Sequence, residues 1–315
     1  MLQFVGALQM GFVYGLLALG VYITFRILNT PDLTADGSFT LGMVVCAVCT
    51  AAGHPFLGLA MAALSGALAG SVTGLLQTKL GIYPILAGIL TMSGLYSVNM
   101  FVLGGTPNMP LSRTVFKIAY ALFPGASKAG KGAVALCIAF LVCALCASFL
   151  IWLFHTHIGL CVRATGNNEE MVRSSSIPAG RVKVFTFALA NACVALSGAM
   201  SAQLQGFADV NAGIGMVVVG IASVIIGEGV FGRRGVTCGI LSAIVGSILY
   251  RMIYALAFRS SFFPAYALKL ISACIVAAAL AIPAVRASLS QRRMRRKAAR
   301  SACDIPFQKG GASAC

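Results

Sequence analysis

The sequence predicts an all-α polytopic integral membrane protein with about eight to ten transmembrane helices, some of them broken. The composition and the segment pattern support this fold class. Apolar residues make up 59% of the chain and charged residues only 10%, and the mean hydropathy is +0.93. Soluble domains carry about 25% charged residues. Too few charged residues are present to cover a surface that faces water.

Nine apolar segments are the candidate membrane-spanning helices. A spanning helix needs about 20 mostly apolar residues. The second and seventh segments are short and rich in glycine, which favours broken helices. The first is too long for the apolar core of a signal peptide and has no basic residue before it, so we expect it to remain as a span. The candidates are residues 3–25, 38–53, 56–77, 84–103, 132–154, 183–205, 214–231, 235–255 and 266–284.

The distribution of lysine and arginine predicts the orientation of the spans, because cytoplasmic loops carry an excess of these residues. If the loop of residues 159–183 is cytoplasmic, alternation of the spans places 16 of the 23 cations inside and seven outside. The reversed orientation places only seven inside. We therefore expect this loop and the C-terminus to be cytoplasmic, with residues 104–131 as an external loop that is itself basic.

The basic segment Arg286–Arg300 follows the last candidate span and contains no acidic residue. A basic segment next to a membrane helix usually contacts anionic lipid on the cytoplasmic side. Nucleic acid is not the expected partner, because no domain remains outside the membrane to present a binding patch. Membrane lipid is therefore the predicted partner of this segment.

The cysteine and histidine residues predict no metal site and no disulfide framework. Most of the 11 cysteines lie in apolar runs, and no pair of CxxC motifs occurs at metal-binding spacing. His155 and His157 are two positions apart, so they do not share a helix face. No Ser-His-Asp set or HExxH motif is present. We expect no catalytic residues and no enzymatic activity in this chain.

Two segments resemble each other within the chain. Ala35–Val45 reads ADGSFTLGMVV and Ala208–Val218 reads ADVNAGIGMVV, with Ala-Asp and Gly-Met-Val-Val at the same offset. Transporters are often built from repeated halves with broken helices in matching places. Chance similarity between apolar glycine-rich segments is the alternative interpretation.

The loop of residues 159–183 is predicted to contain a short capped helix. Asn167 or Asn168 can cap its N-terminus, and Asn167 with Glu170 has the spacing of a capping box. The carboxylates of Glu169 and Glu170 then fall in the first turn, where the helix dipole favours negative charge. Arg173 is placed to pair with either of them. The pattern predicts a helix over about residues 168–176 that ends before Pro178 and packs on another part of the protein.

Three segments carry a resemblance to the permeases of bacterial ABC importers of the branched-chain amino acid and ribose type. The loop pattern Arg-Ala-x-Gly-x-Asn…Arg…Ile resembles the coupling loop of that family. Ile225–Tyr250 is similar to the glycine-rich turn before its penultimate helices, and Ile27–Met43 is similar to its broken segment near the N-terminus. The resemblance covers about residues 10–285, and is nearest to the uncharacterised and aromatic amino acid uptake subgroup. The chain departs from the family pattern at Met171, Val172 and Ser176.

The resemblance implies a type II-like ABC importer transmembrane domain over residues 1–285, followed by a cytoplasmic tail over residues 286–315. It implies that a separate ATPase subunit binds ATP, that an extracytoplasmic binding protein delivers the solute, and that two permease copies pair in the bacterial inner membrane. No GxxxxGK[ST] motif occurs in the chain, and no cofactor is expected. The cargo implied is an amino acid, and the likeness to the uptake subgroup points to an aromatic one.

The resemblance also implies that the short helix is a coupling helix, which docks in a cleft of the ATPase. Its charged residues would meet charges there, while Met171 and Val172 would fill an apolar groove. The predicted coupling residues are Arg163, Ala164, Gly166, Asn167, Asn168, Glu169, Glu170, Met171, Arg173 and Ile177.

Polar residues at the two glycine-rich segments are the candidates for the translocation pathway. A lone carboxylate at the bilayer centre costs about 2.5–3.5 kcal/mol on insertion scales. Asp32 and Asp36 therefore sit either in an interfacial turn, where Asp36 caps the second helix, or in a protein-walled cavity. Asp209 and Asn211 are expected near the outer end of the pathway. The predicted pathway residues are Asn29, Asp32, Asp36, Ser38, Asp209 and Asn211.

Glu228 lies in the segment GEGVFGRRG, close in sequence to Arg233 and Arg234. We predict a local ion pair at the inner face between Glu228 and these arginines. The alternative is a gate or a contact with the ATPase.

Two other functions compete with the importer. An ion-coupled secondary transporter or channel would need a carboxylate deep in a helix, and its best candidates, Asp36 and Asp209, lie beside breaks. A membrane-embedded enzyme or assembly scaffold is the least favoured, because no catalytic set is present.

Overall fold

Eleven α-helices and a two-stranded β-ladder form the described part of the chain in this computed structural model, which covers residues 2–121, 128–175, 177–232 and 235–259 with residues 273, 274, 276, 277 and 281. The helices are α1 (Leu2–Tyr22), α2 (Thr34–Ala51), α3 (Pro55–Lys79), α4 (Pro84–Val102), α5 (Val115–Ala121), α6 (Lys128–His155), α7 (His157–Asn167), α8 (Glu169–Ser174), α9 (Ala179–Gln205), α10 (Met216–Phe231) and α11 (Val236–Arg259). A π turn, Ile23–Ile27, follows α1, and strands β1 (Asn108–Pro110) and β2 (Phe207–Asp209) are antiparallel.

Seven of the described helices are long and apolar enough to cross a membrane, and α10 is a shorter apolar helix. The predicted all-α polytopic fold is confirmed, and eight of the nine candidate segments coincide with these helices. The ninth, residues 266–284, lies outside the described residues apart from five isolated positions. The basic tail, residues 286–315, lies wholly outside them.

Helix α9 lies at the centre of the bundle and packs against α1, α2 and α3. Its close contact with α2 depends on two glycines. A Cβ on Gly42 would lie 1.9 Å from the carbonyl oxygen of Ala195, and one on Gly198 would lie 1.9 Å from that of Phe39. Small residues allow helix backbones to approach in this way where lipid supplies no hydrophobic driving force.

The contacts define two opposite faces of the bundle. The loop face carries the 159–183 loop and the start of α9. Gly166 of this loop packs on the carbonyl of Ile27, the last residue of the π turn after α1, and Gly180 faces Thr78 near the end of α3. The strand face carries β1, β2 and α5. There the side-chain oxygen of Gln203, near the end of α9, accepts a hydrogen bond of 2.9 Å from the backbone N–H of Val115.

The chain twice forms a long helix, an irregular segment and a shorter helix, and the two copies run in opposite directions. After α1, residues 28–33 lead back from the loop face to α2, which ends toward the strand face, where Thr50 contacts Gln203. After α9, residues 206–215 lead back from the strand face to α10, which ends toward the loop face. This is the architecture of an inverted repeat.

The two similar sequence segments do not occupy equivalent positions in this arrangement. Asp36 lies in the first turn of α2, whereas Asp209 ends β2 and precedes the first residue of α10, Met216. The arrangement of long helix, irregular segment and shorter helix therefore repeats, but the identical residues of the two segments do not occupy equivalent positions in it.

Candidate coupling surface and translocation pathway

Helix α8 is a short capped helix on the loop face, as the sequence predicts. The side-chain oxygen of Asn168 accepts a hydrogen bond of 3.1 Å from the backbone N–H of Met171. The helix spans Glu169–Ser174, slightly less than predicted, and Pro178 precedes the first residue of α9. Asn167 is instead the last residue of α7, so the predicted capping box between Asn167 and Glu170 does not form.

Glu169 ties α8 to α9. Its carboxylate accepts one hydrogen bond from Lys183 on α9 and another, of 2.9 Å, from Arg173 one turn along α8. Partial burial raises the pKa of Glu169, but the hydrogen bonds and charges of Lys183 and Arg173 outweigh it, so that the pKa lies below its usual value. Glu169 therefore stays ionised and anchors the helix.

The outward surface of α8 is formed by Glu170, Met171 and Arg173, which are all exposed. Met171 is 56% exposed, a large value for an apolar side chain on a charged loop. Val172 faces the other way and is only 1% exposed. Val172 therefore packs within its own chain and is not free to fill a groove of a partner, contrary to the sequence-based expectation.

Helix α7 joins α8 to the end of α1. A Cβ on Gly166 would lie 1.9 Å from the carbonyl oxygen of Ile27, so only glycine permits this contact. Ala164 and Ile177 are half-buried, whereas Arg163 and Asn167 are exposed and line a cavity of about 400 Å³ between α7 and α10. The ten predicted coupling residues thus lie on one continuous segment of the loop face.

Arg26 and Glu228 form a bidentate ion pair at this cavity. The Nε and Nη2 groups of Arg26, in the π turn after α1, donate to the two carboxylate oxygens of Glu228 near the end of α10. The predicted partners, Arg233 and Arg234, lie outside the described residues, so that pairing stays a prediction. Sequence reasoning missed Arg26, although it is the single cation between the first two apolar segments.

Asp32 is buried between helices α2 and α9. Its carboxylate accepts hydrogen bonds of 2.9 Å from the backbone N–H of Thr34 and 2.7 Å from the side-chain amide of Asn191. The side chain of Asn191 is fully buried. The sequence left an interfacial turn and a protein-walled cavity open for Asp32, and the structure shows a carboxylate enclosed in the bundle.

Asp36 caps a helix other than its own. Its carboxylate accepts hydrogen bonds of 2.9 Å from the backbone N–H of Gly215 and 2.7 Å from that of Val217, at the start of α10. The sequence offered Asp36 as a cap of α2, whereas α2 receives no side-chain hydrogen bond from its N-cap residue, Leu33. Ser38, one turn after Thr34 on α2, is fully buried.

The remaining predicted pathway residues lie near the two faces. Asp209 accepts a hydrogen bond of 2.9 Å from the backbone N–H of Asn211 in an exposed turn on the strand face. Asn29 lies at the opposite end, lines the cavity beside Arg26, and has a left-handed backbone (φ 55°). The structure thus distributes the predicted pathway residues along the bundle and does not gather them in one cavity.

A helical bundle with two broken repeats and a short capped helix on one face is the architecture of a polytopic transport permease. Residues 3–280 match the family described as "Branched-chain amino acid transport system / permease component". The chain belongs to this family, the branched-chain amino acid and ribose type of ABC permease.

Individual relatives agree with the family. The chain is 36% identical to a tyrosine transport system permease protein of Clostridioides difficile, over 91% of this chain and 93% of the relative. It is 32% identical to an uncharacterized protein of Rickettsia prowazekii, over 71% and 76% of the two chains. It is 26% identical to a ribose import permease protein of Haemophilus influenzae, over 71% and 68%. No solved structure is similar enough to be matched to the chain.

The chain is therefore a multi-pass permease component of an ABC transporter. The family implies, in general, an ATPase subunit, a substrate-binding protein and an inner-membrane location.

Proposed function

We propose that this chain is the membrane-spanning subunit of an ATP-driven importer, and that α8 is the helix through which the ATPase subunit moves it. The observation that carries the proposal is the attachment of α8 to the bundle at two points. Glu169 pairs with Lys183 on α9, and Gly166 packs on Ile27 at the end of α1. A force on the exposed side chains of Glu170 and Met171 would reach both long helices that precede the breaks.

The cargo proposed is an amino acid, and an aromatic one in particular. The relative that matches 91% of this chain at 36% identity is named for tyrosine transport. Relatives of lower identity are named for ribose and galactose import, so the cargo is proposed from the former alone. An extracytoplasmic binding protein would deliver the amino acid to the strand face.

Two copies of the chain are proposed to pair and to present two α8 helices to two ATPase subunits in the bacterial inner membrane. ATP would be bound by those subunits, and the permease would hold no cofactor. The loop face and the C-terminal tail would be cytoplasmic, because this orientation places most lysine and arginine residues inside. The basic tail would then lie against anionic lipid.

Charge reversal on α8 tests the coupling role. Glu170→Lys changes only the exposed surface, whereas Glu169→Lys also breaks the link to Lys183. We expect the double variant Glu169→Lys/Glu170→Lys to enter the membrane normally and to lose ATP-driven uptake of radiolabelled tyrosine. Normal uptake by the double variant would contradict the proposal. The variant Ser71→Ala, on α3 and outside the 159–183 loop, is the control for expression and insertion.

An ion-coupled secondary transporter is the competing function. Its candidate carboxylates, Asp36 and Asp209, are already engaged, since Asp36 caps α10 and Asp209 accepts a hydrogen bond from the backbone N–H of Asn211. This favours a structural role for both. Uptake into vesicles that follows a proton or sodium gradient, without ATP and an ATPase subunit, would support the competing function and overturn the first.

A further inference from the structure

A second cavity opens between α1, α10 and α11, and no residue predicted for the pathway lines it. Its volume is about 420 Å³, within the range of about 300–1,000 Å³ that small-molecule sites occupy. Three tyrosines and one cation are among its lining residues, which include Tyr14, Tyr250, Arg251 and Tyr254. No acidic residue is among the described residues that line it.

The cavity lies in the half of the bundle nearer the strand face. Helix α11 begins beside the loop-face cavity, which Val236 lines. At about 1.5 Å of rise per residue, Arg251 lies about 22 Å further along α11. The same cavity reaches Gly215 and Met216, where α10 begins. A solute arriving at the strand face would meet it before the loop face.

Arg251 is a cation inside a membrane-spanning helix. Sequence-based orientation counted it with the external cations, but α11 continues on both sides of it. Such residues are costly in a membrane and usually mark a substrate or ion pathway. The guanidinium lies over the ring of Tyr14, with its carbon 3.8 Å from the ring centroid, and 5.5 Å from that of Tyr254.

Stacking engages the face of the guanidinium and not its hydrogen-bonding edge. The Nε atom of Arg251 is buried and has no hydrogen-bond partner among the residues that the structure describes. A guanidinium presents its N–H groups in a planar fork that matches a carboxylate, while its faces stack on aromatic rings. The start of α10 also borders the cavity, but the carboxylate of Asp36 already caps it, so Arg251 is the group that favours negative charge there.

We propose that this cavity binds the carboxylate of the transported solute, with Arg251 as the residue that recognises it. This inference rests on the proposed function, which supplies an amino acid as the solute. Tyr14 holds the guanidinium plane in place, and the neighbouring tyrosine rings form an aromatic wall for the remainder of the ligand. The membrane domain thus selects for a carboxylate in addition to any selection by a binding protein.

An anionic lipid headgroup offers similar charge and could occupy the same fork. The two sources are separated by using nanodiscs made only of zwitterionic lipid, and a parallel set that contains anionic lipid. The reporter is Val218→Cys, since Val218 lines the cavity and is 47% exposed. Alkylation at position 218 by N-ethylmaleimide is measured by mass spectrometry of the peptide, which separates it from the other cysteines.

The probes are L-tyrosine and tyramine, which differ in the carboxylate. In full-length V218C protein in zwitterionic nanodiscs, we expect L-tyrosine to slow alkylation and tyramine to have little effect. Adding R251Q should weaken the protection by L-tyrosine about tenfold or more, because a charge-assisted bidentate contact is lost. R251K keeps the charge without the fork and should protect less than arginine does.

Equal protection by the two probes, or protection unchanged in R251Q, would overturn the proposal. If anionic lipid slows alkylation but L-tyrosine has no effect in zwitterionic nanodiscs, the guanidinium of Arg251 binds lipid. That result would also overturn the proposal. If R251Q is not monodisperse, the comparison of L-tyrosine with tyramine in V218C alone decides the matter. The alkylation assay needs no ATP, so its result is independent of the uptake assay. Loss of protection would overturn the carboxylate site, whereas only the uptake assay tests the importer function.

Discussion

Asp36 on α2 accepts a hydrogen bond of 2.7 Å from the backbone N–H of Val217 on α10, and a second, of 2.9 Å, from that of Gly215. The first turn of one short helix thereby caps the other. Because α2 and α10 run toward opposite faces of the bundle, this contact joins the two broken repeats near their starting points. It also satisfies backbone donors that would otherwise lack a partner at the beginning of a helix.

Replacing Asp36 should weaken the start of α10. Asp36→Ala removes both acceptors, and loss of a helix cap costs about 0.5–2 kcal/mol. We expect a lower midpoint of thermal unfolding for the detergent-purified protein. Asp209→Asn is the control, since among the described residues the side chain of Asp209 supports an exposed turn that asparagine also supports. A midpoint for Asp36→Ala equal to that of the control would contradict the capping role.

Gly166→Ala should separate α7 from α1. The added Cβ would lie 1.9 Å from the carbonyl oxygen of Ile27, so the backbone must move. We expect normal insertion but reduced ATP-driven uptake, since α8 loses its attachment at this point. Gly94→Ala, in α4, meets nothing within 4 Å and should leave uptake unchanged. Equal uptake by the two variants would show that the α7 contact carries no force.

The ion pair of Glu169 should respond to acid in a defined direction. Its pKa is lower in the folded protein than in the unfolded chain, so the pair contributes stability above about pH 4.3, the usual pKa of glutamate. That contribution is lost as the pH falls through the lowered value. Because the carboxylate is 32% exposed, we expect the effect to stay below about 1 kcal/mol.

The measurement compares the unfolding midpoints of the wild type and Glu169→Gln between pH 7 and about pH 3.5, a range that spans the usual glutamate pKa. The difference should be largest at neutral pH and should shrink as the pH falls below the usual glutamate pKa. Glu170→Gln, on the exposed side of α8, serves as the control. A difference that grew on acidification would refute the assigned pairing.

In the buried contact between Asp32 and Asn191, replacing Asn191 should destabilise the protein more than replacing Asp32. Asn191→Ala leaves a buried carboxylate without one of its donors, which costs about 1–3 kcal/mol or more for a charged group. Asp32→Asn keeps an acceptor for Thr34 and removes the charge. We therefore expect Asn191→Ala to unfold at a lower denaturant concentration than Asp32→Asn. The reverse order would mean that Asp32 is already neutral in the folded protein.

The spans and the short capped helix α8 were predictable from local sequence. Long apolar runs define seven of the helices, and Asn168, the two glutamates and Pro178 delimit α8 within a few residues. These signals act over one or two turns of chain. They report the local free energy of helix formation and of transfer into lipid, which a single segment is enough to determine.

The contacts between distant segments were not predictable in the same way. Asp36 lies 2.7 Å from a backbone nitrogen of α10, and Arg26 pairs with Glu228, yet both pairs are separated by most of the chain. The expected partners of Glu228 were its sequence neighbours, because local spacing favours near charges. Arg251 was counted as external because the alternation of spans places that end of its helix outside. Its contact with the Tyr14 ring depends on how α1 and α11 pack, which the sequence does not show.

The antiparallel ladder between β1 and β2 has a mechanical consequence. Met109 pairs with Ala208, so the loop before α5 and the segment that leads into α10 are joined by main-chain hydrogen bonds. A displacement of β1 would therefore move β2, and residues 210–215 would transmit that displacement to the first turn of α10. If the strand face is external, as proposed, a binding protein that docks on this loop would act directly on α10.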